Sequence, residues 1–234
     1  MVPREGWTEA IMIREIVQFI RNAPELGRLQ RQHTPAEFYE VVNAKVDAQG
    51  FSELRRELVG DLTGRVLEIG CGTGRLFEYY GEGVELDAIE PEEDFLAVAA
   101  TKAANAAARV RAVAGDGTSL AFPDGAFDAV VLGLVLCSVP SVERVVAEAF
   151  RVLRRGGRLR ALEHVRSQAL IAGLLMDATN PLWLRLNRHG CNWNRQPLPK
   201  IEAAGFQIDD VRVSKRFDTL HPAFPIQRIR AHKA

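Results

Sequence analysis

Three carboxylates and a set of glycines are spaced along this chain as a nucleotide-like ligand with a charged tail would need them. Glu68 leads Gly70, Gly72 and Gly74 in the run RVLEIGCGTGRLFEYY, residues 65–80. Glu90 follows 20 positions after Gly70, and Asp116 sits between Gly115 and Gly117. A glycine turn lets a ligand touch the backbone. A helix beginning near Thr73 would aim its free N–H groups and positive dipole end at that ligand. The spacing does not suit a dinucleotide. In G-x-G-x-x-G the third glycine counted from Gly70 would fall at Arg75, and counted from Gly72 at Phe77. A carboxylate beside the turn repels a pyrophosphate and attracts an ammonium group. The fitting ligand has a cationic amino-acid end and an adenosine end. Glu90 is placed to grip ribose hydroxyls, and Asp116, at a strand end, to accept the adenine amino proton.

These side chains need a sheet to hold them. β-branched and aliphatic runs predict strands at Val66–Ile69, Leu86–Ile89, Val110–Ala114, Phe127–Leu132, Arg158–Leu162, Phe206–Val213 and Pro225–Ala231. Helical patterns fall between them: Phe51–Leu62, Phe95–Asn105, a helix capped by Ser141 and running through Leu153, and Pro199–Ala204. This alternation implies an α/β fold with right-handed crossovers, a mainly parallel sheet and ligands at its carboxyl edge. Leu132 and Leu134, at the end of the fourth strand, are expected to touch the cofactor, with Leu134 and Leu136 lining its floor. Residues 7–21 and Pro35–Lys45 predict an N-terminal helical cap over residues 1–50, either packed across the main domain or closing over it as a lid. Residues 51–234 form that domain, with an irregular, substrate-facing insertion at about 166–199.

The run at 65–80 resembles motif I of the class I S-adenosylmethionine-dependent methyltransferases, and the likeness extends over roughly residues 60–165. FPDGAFDAVVLGLVLCSVPSVERVVAEAFRVLRRGGRL is similar to the later motifs of the small-molecule branch, which includes ubiquinone and menaquinone C-methyltransferases. A closer likeness, to animal membrane-associated thiol methyltransferases and their bacterial relatives, is carried by VLCSV at 135–139, EHV at 163–165 and NPLW through HGCN at 180–192. The chain departs from those animal enzymes in two ways: a charged amphipathic stretch stands in place of an apolar N-terminal anchor, and His189 in place of an acid. The resemblance implies a Rossmann-like, seven-stranded, mainly parallel sheet with helices on both faces and an antiparallel strand in the last pair. It implies S-adenosyl-L-methionine as cofactor and S-adenosyl-L-homocysteine as product. Glu68, Gly70, Cys71, Gly72 and Gly74 would meet the methionine end, Glu90 and Pro91 the ribose, Asp116 and Gly117 the adenine.

Methyl transfer from a sulfonium is an in-line displacement. Positioning alone can supply about 7–11 kcal/mol, whereas a general base adds about 10²–10⁴-fold. The acceptor is expected to be a small molecule carrying the reactive O, S or N atom. His164, after the fifth strand, is the first candidate base, and His189 the second, with Asp177 behind it. Tyr39, Asp177 and Trp183 are candidate substrate contacts; Leu174, Leu175, Trp183 and Leu184 suggest an apolar acceptor pocket. No His, Cys or carboxylate cluster has metal-ligand spacing, so no metal is expected. The alternative is an S-adenosylmethionine-binding protein without transferase activity, either an accessory subunit or a cyclase-like enzyme. A nicotinamide oxidoreductase is disfavoured by Arg75.

Composition narrows the partners. Thirty basic and thirty acidic residues cancel, giving no bulk attraction for nucleic acid. The longest apolar run, Ala129 to Cys137, is too short for a membrane span. Arg14, Glu15 and Arg21 interrupt the apolar residues of the N-terminus, against a secretion signal. Three scattered cysteines suggest reduced thiols and a cytoplasmic setting. Nothing in the sequence indicates an oligomer.

Overall fold

A computed structural model describes residues 21–22, 24–186, 190–214 and 225–234. The helix expected over 7–21, except for Arg21, and His189 lie outside the described residues.

Seven strands form one sheet: β1 (Gly64–Ile69), β2 (Val84–Glu90), β3 (Arg109–Ala114), β4 (Phe127–Gly133), β5 (Leu153–His164), β6 (Phe206–Ser214) and β7 (Ile226–Lys233). Their order is β3-β2-β1-β4-β5-β7-β6. The first five run parallel, and β7 is antiparallel to both β5 and β6. Strand order reverses between β1 and β4, and a doubly wound sheet opens its ligand crevice at the carboxyl ends of such a pair. β1 and β4 are nearly continuous apolar runs because both their faces are covered.

The helices that position the site are α1 (Pro35–Val46), α2 (Ser52–Val59), α3 (Glu93–Ala103), α4 (Val142–Val152), α5 (Leu170–Leu186) and α6 (Pro197–Ala203). One core cluster joins Leu67, Val130 and Leu159 to α4 and α6; the other joins Val66, Val131 and Leu86 to α2 and α3. The sheet therefore has helices on both faces. In α4, Val142, Val145, Val146, Ala149 and Val152 are buried at helical spacing, and the Ser141 hydroxyl accepts the Arg144 N–H at 3.2 Å as its cap. Among the described residues no helix is long and apolar enough to cross a membrane.

Two expectations are corrected. No α-helix begins near Thr73: the turn continues into a single 3₁₀ turn, Phe77–Tyr79. The buried Phe77 ring folds back under Gly74, where a Cβ would stand 2.6 Å from it, and Tyr80 is extended so that its hydroxyl meets Glu68. These two aromatics fix the chain before a helix can propagate, so no helix dipole faces the crevice here. Second, the segment at 166–199 is not irregular throughout, because it holds the 17-residue α5. Gly173 and Pro181 both lie inside that helix.

Candidate functional site

The glycine turn is built by close approaches. Gly70 and Cys71 both donate backbone N–H groups to the Ile89 carbonyl, at 2.9 and 3.0 Å, which binds the turn to β2. Gly70 has φ +68°, and a Cβ there would lie 2.3 Å from Val135 Cγ2. Only glycine lets the loop after β4 come so close. Gly72, at φ +56°, is less crowded: among the described residues a Cβ there would meet the Phe95 and Tyr39 rings in ordinary contact, at 3.9 and 4.0 Å. Tyr39 and Phe95 pack ring against ring at 5.5 Å, making an aromatic wall over the turn.

Glu90 ends β2 with its carboxylate beside that turn. It accepts the Gly72 N–H at 2.8 Å and the Glu92 N–H at 3.2 Å. Burial raises its pKa above the ordinary carboxylate range, against the lowering effect of those two donors. Asp116 is exposed after β3; Thr118 donates its N–H to one oxygen and its hydroxyl to the other, at 2.7 and 2.8 Å. Those bonds lower its pKa. Gly117 packs under Asp116, its Cβ position 2.6 Å from Ile69. Glu90, Gly72, Tyr39 and Phe95 thus come together in one place, with Asp116 at the neighbouring strand end.

Glu68 is placed differently from the glycines it leads. It is buried and accepts the Tyr80 hydroxyl at 3.0 Å. Burial pushes its pKa to about 8, the Tyr80 bond opposing. Cys71 is also buried, and burial raises its thiol pKa. Leu132 is wholly inside the core, so it supports the floor from beneath and does not form its surface. Leu134 follows at φ +61°, its N–H given to the Leu162 carbonyl at 2.7 Å. Pro91 is exposed, just ahead of α3.

The segment before β1 is tied over the turn by charge. Glu40 accepts from the Thr73 hydroxyl and from Arg75 at 2.8 Å, and pairs with Lys102 at 2.8 Å. Arg75 also bonds Asp47, which accepts from Arg55 at 2.9 Å. Burial alone would raise the Glu40 pKa; the bonds from Lys102 and Thr73 and the charge of Arg75 outweigh it and leave it lowered. Sequence reasoning missed Glu40. Its register on α1, one residue from Tyr39, was the available signal.

Glu163 and His164 end β5. One Glu163 oxygen accepts the N–H groups of Val135 and Leu136 at 3.1 and 3.0 Å. The other is buried and, among the described residues, has no hydrogen-bond partner. His164 meets Cys191, with Nδ1 3.8 Å from Sγ. Cys137, His164 and Cys191 bring one ligand atom each to within 4.8 Å of one another. Spacing along the chain does not show this group: the three are remote in sequence and meet because β4, β5 and the loop after α5 end at one edge.

The candidate substrate contacts beyond Tyr39 are engaged elsewhere. Asp177 forms an ion pair with Arg166 at 2.8 Å and accepts from Asn194 at 3.2 Å. Trp183 is buried, stacked on Trp193 at 5.0 Å, and its indole N–H donates to the Cys191 carbonyl at 2.8 Å. Leu174, Leu175 and Leu184 are exposed along α5 and do not line a closed pocket. The loop after α5 instead seals the exit of β4: Asn192 N–H donates to the Cys137 carbonyl at 2.7 Å, and Arg195 donates to the carbonyls of Leu136 and Val139 at 2.5 and 2.7 Å.

Comparison with known proteins bears on this arrangement. Residues 67–161 match the methyltransferase domain family. The chain is 34% identical to thiol S-methyltransferase TMT1A of Homo sapiens over 60% of its own length and 59% of the relative's. It is 32% identical to thiol S-methyltransferase TMT1B of Rattus norvegicus, over 72% of its own length and 75% of that protein. Among solved structures, a SAM-dependent methyltransferase from Methanosarcina mazei superposes with TM-score 0.60 at 22% identity, covering 73% of this chain and 92% of that one.

Proposed function

The chain belongs to the class I S-adenosylmethionine-dependent methyltransferases, and on that premise we propose that it methylates the sulfur of a small, partly apolar thiol. The cofactor of this family is S-adenosylmethionine, and the residues at the turn fit it. Gly72 stands beside the Tyr39 and Phe95 rings, the acid bonded to it is Glu90, and Asp116 stands at the next strand end. When bound, the cofactor supplies an electrophilic methyl group on a sulfonium sulfur. Glu90 holds the ribose hydroxyls, Asp116 and Gly117 receive the adenine, and the aromatic pair Tyr39–Phe95 closes the site against water. Glu68 acts from below, holding Tyr80 and through it the shape of the turn. The segment before β1, fastened by Glu40 and Asp47, serves as the cap of the site.

The observation that carries this reading is the hydrogen bond from Gly72 to Glu90 beside the Tyr39–Phe95 pair. The choice of sulfur is supported by the names of the two relatives and by His164 and Cys191 at the carboxyl edge, where an acceptor would enter. A thiol, with an ordinary pKa near 8.5, needs less help from a base than a phenol near 10. We place the enzyme in the cytoplasm, which suits three cysteines that are all free, and assign it no nucleic-acid partner.

Calorimetry with S-adenosylmethionine and S-adenosylhomocysteine tests the cofactor site. Labelled methyl transfer to a panel of small thiols, phenols and amines tests the acceptor. Turnover of thiols is expected; turnover confined to phenols or amines would overturn the sulfur assignment and leave the cofactor site standing.

A further inference from the structure

From the edge where β4 and β5 end, we infer that Cys137, His164 and Cys191 form a three-ligand site for a soft divalent cation of the zinc kind. Its open fourth position is the seat of the acceptor's sulfur, a role that rests on the thiol reading above. Two thiols and an imidazole are the donor set that selects zinc over hard cations. Tetrahedral zinc, with bonds of about 2.3 Å to sulfur and 2.0–2.1 Å to nitrogen, brings its ligand atoms about 3.6–3.8 Å apart. His164 Nδ1 and Cys191 Sγ are already 3.8 Å apart, and all three ligand atoms lie within 4.8 Å. That 4.8 Å ceiling exceeds the tetrahedral separations by about 1 Å, so a small side-chain adjustment completes the geometry.

The backbones carrying the ligands are locked to one another. Glu163, next to His164, fixes the N–H groups of Val135 and Leu136 just before Cys137. Asn192, next to Cys191, donates to the Cys137 carbonyl at 2.7 Å, and Trp183 to the Cys191 carbonyl at 2.8 Å. Supporting bonds of this kind hold ligands in register and tune a metal site. Cys137 is buried, while His164 and Cys191 are partly exposed, so the open side is theirs. Three protein ligands with a free position are the pattern of catalytic zinc, four that of structural zinc.

A bound dication would hold the Cys137 and Cys191 sulfurs as thiolates, their protons leaving to solvent, because a coordinating thiol is deprotonated. The same holds for an incoming acceptor: its S–H bond breaks, the proton leaves to solvent, and the thiolate sulfur bonds the cation. The sulfur is then a better nucleophile than the thiol.

The test uses the full chain, reduced and freed of metal by a chelator, titrated with Co²⁺. One equivalent is expected to bind with thiolate-to-cobalt charge-transfer absorption. Cys191→Ser and His164→Asn should each weaken Co²⁺ binding on the order of tenfold or more, while calorimetric binding of S-adenosylhomocysteine stays unchanged and reports that the variants fold. Absence of the absorption in the wild type, or its persistence in Cys137→Ser/Cys191→Ser, overturns the site. Adding a small thiol to the cobalt-loaded protein should shift the spectrum; cobalt binding without that shift overturns the fourth-position role. Cobalt binding in a protein that methylates only phenols or amines would sink the thiol reading and leave the metal site in place.

Discussion

The backbone N–H of Gly72 donates to the carboxylate of Glu90 at 2.8 Å, so the glycine turn and the end of β2 form one unit. A charged acceptor of this kind contributes about 1.5–3 kcal/mol per bond, and the same carboxylate is the proposed ribose contact. Glu90→Gln keeps the shape and removes the charge. Affinity for S-adenosylhomocysteine should fall about 10–100-fold by calorimetry, and the thermal midpoint should fall as well, because the Gly72 and Glu92 N–H groups bond different oxygens and an amide can accept only one of them. Unaltered affinity would show that Glu90 does not hold the sugar.

Two glycines of the turn should separate folding from binding. In Gly70→Ala the new methyl meets Val135 Cγ2 at 2.3 Å, and Val135 is itself pinned through its N–H to Glu163. Left-handed strain of about 1–2 kcal/mol adds to overpacking of about 1–3 kcal/mol, so this variant should unfold several degrees earlier in a thermal melt. Gly72→Ala carries similar strain but meets nothing closer than 3.9 Å. It should fold and lose cofactor affinity at least tenfold, because its methyl occupies the place of the ligand. Normal binding by Gly72→Ala would mean the ligand lies elsewhere.

The extent to which the chain announced this site follows from physical range. Strands such as Phe127–Gly133 and the cap at Ser141 are local patterns, and so was the order of Gly70, Glu90 and Asp116. The helix expected near Thr73 failed because two aromatics, Phe77 and Tyr80, anchor the turn to distant partners, and tertiary contact overrides propensity. α5 lies in a stretch whose pattern looks irregular, and its helix, with Gly173 and Pro181 inside, is held by the burial of Met176 and Trp183. The meeting of Cys137, His164 and Cys191 depends on which strand ends are neighbours, which spacing along the chain does not encode.

Glu68 should make stability depend on pH in an unusual direction. Its folded pKa is raised from 4.5 to about 8 by burial. The folded state therefore binds the proton more tightly than the unfolded chain does, and the contribution is complete below pH 4.5. It is lost as pH rises from 4.5 through about 8, at roughly a kcal/mol per pH unit. Denaturant unfolding across that window should show the decline in the wild type and a flatter profile in Glu68→Gln. Equal slopes for both proteins would mean that Glu68 ionises freely in the fold.

Glu163 offers the sharper contrast between charge and shape. Burial raises its pKa well above the ordinary value, with Cys137 adding to the shift and the N–H donors of the loop after β4 opposing it. A neutral carboxyl and a glutamine amide are nearly the same size and present the same acceptor. Glu163→Gln should therefore cost under about 1 kcal/mol at neutral pH, and should remove the loss of stability that the wild type suffers as pH rises through the raised pKa. Glu163→Ala strips the acceptor from two backbone N–H groups, each costing about 1–3 kcal/mol when left buried and unpaired, and opens a cavity besides. Because those donors belong to Val135 and Leu136, the damage should spread to the loop carrying Cys137. Amide exchange at residues 134–138 should accelerate in the alanine variant and stay slow in the glutamine one. Fast exchange in both would show that the carboxylate's charge, and not its position as an acceptor, holds the loop.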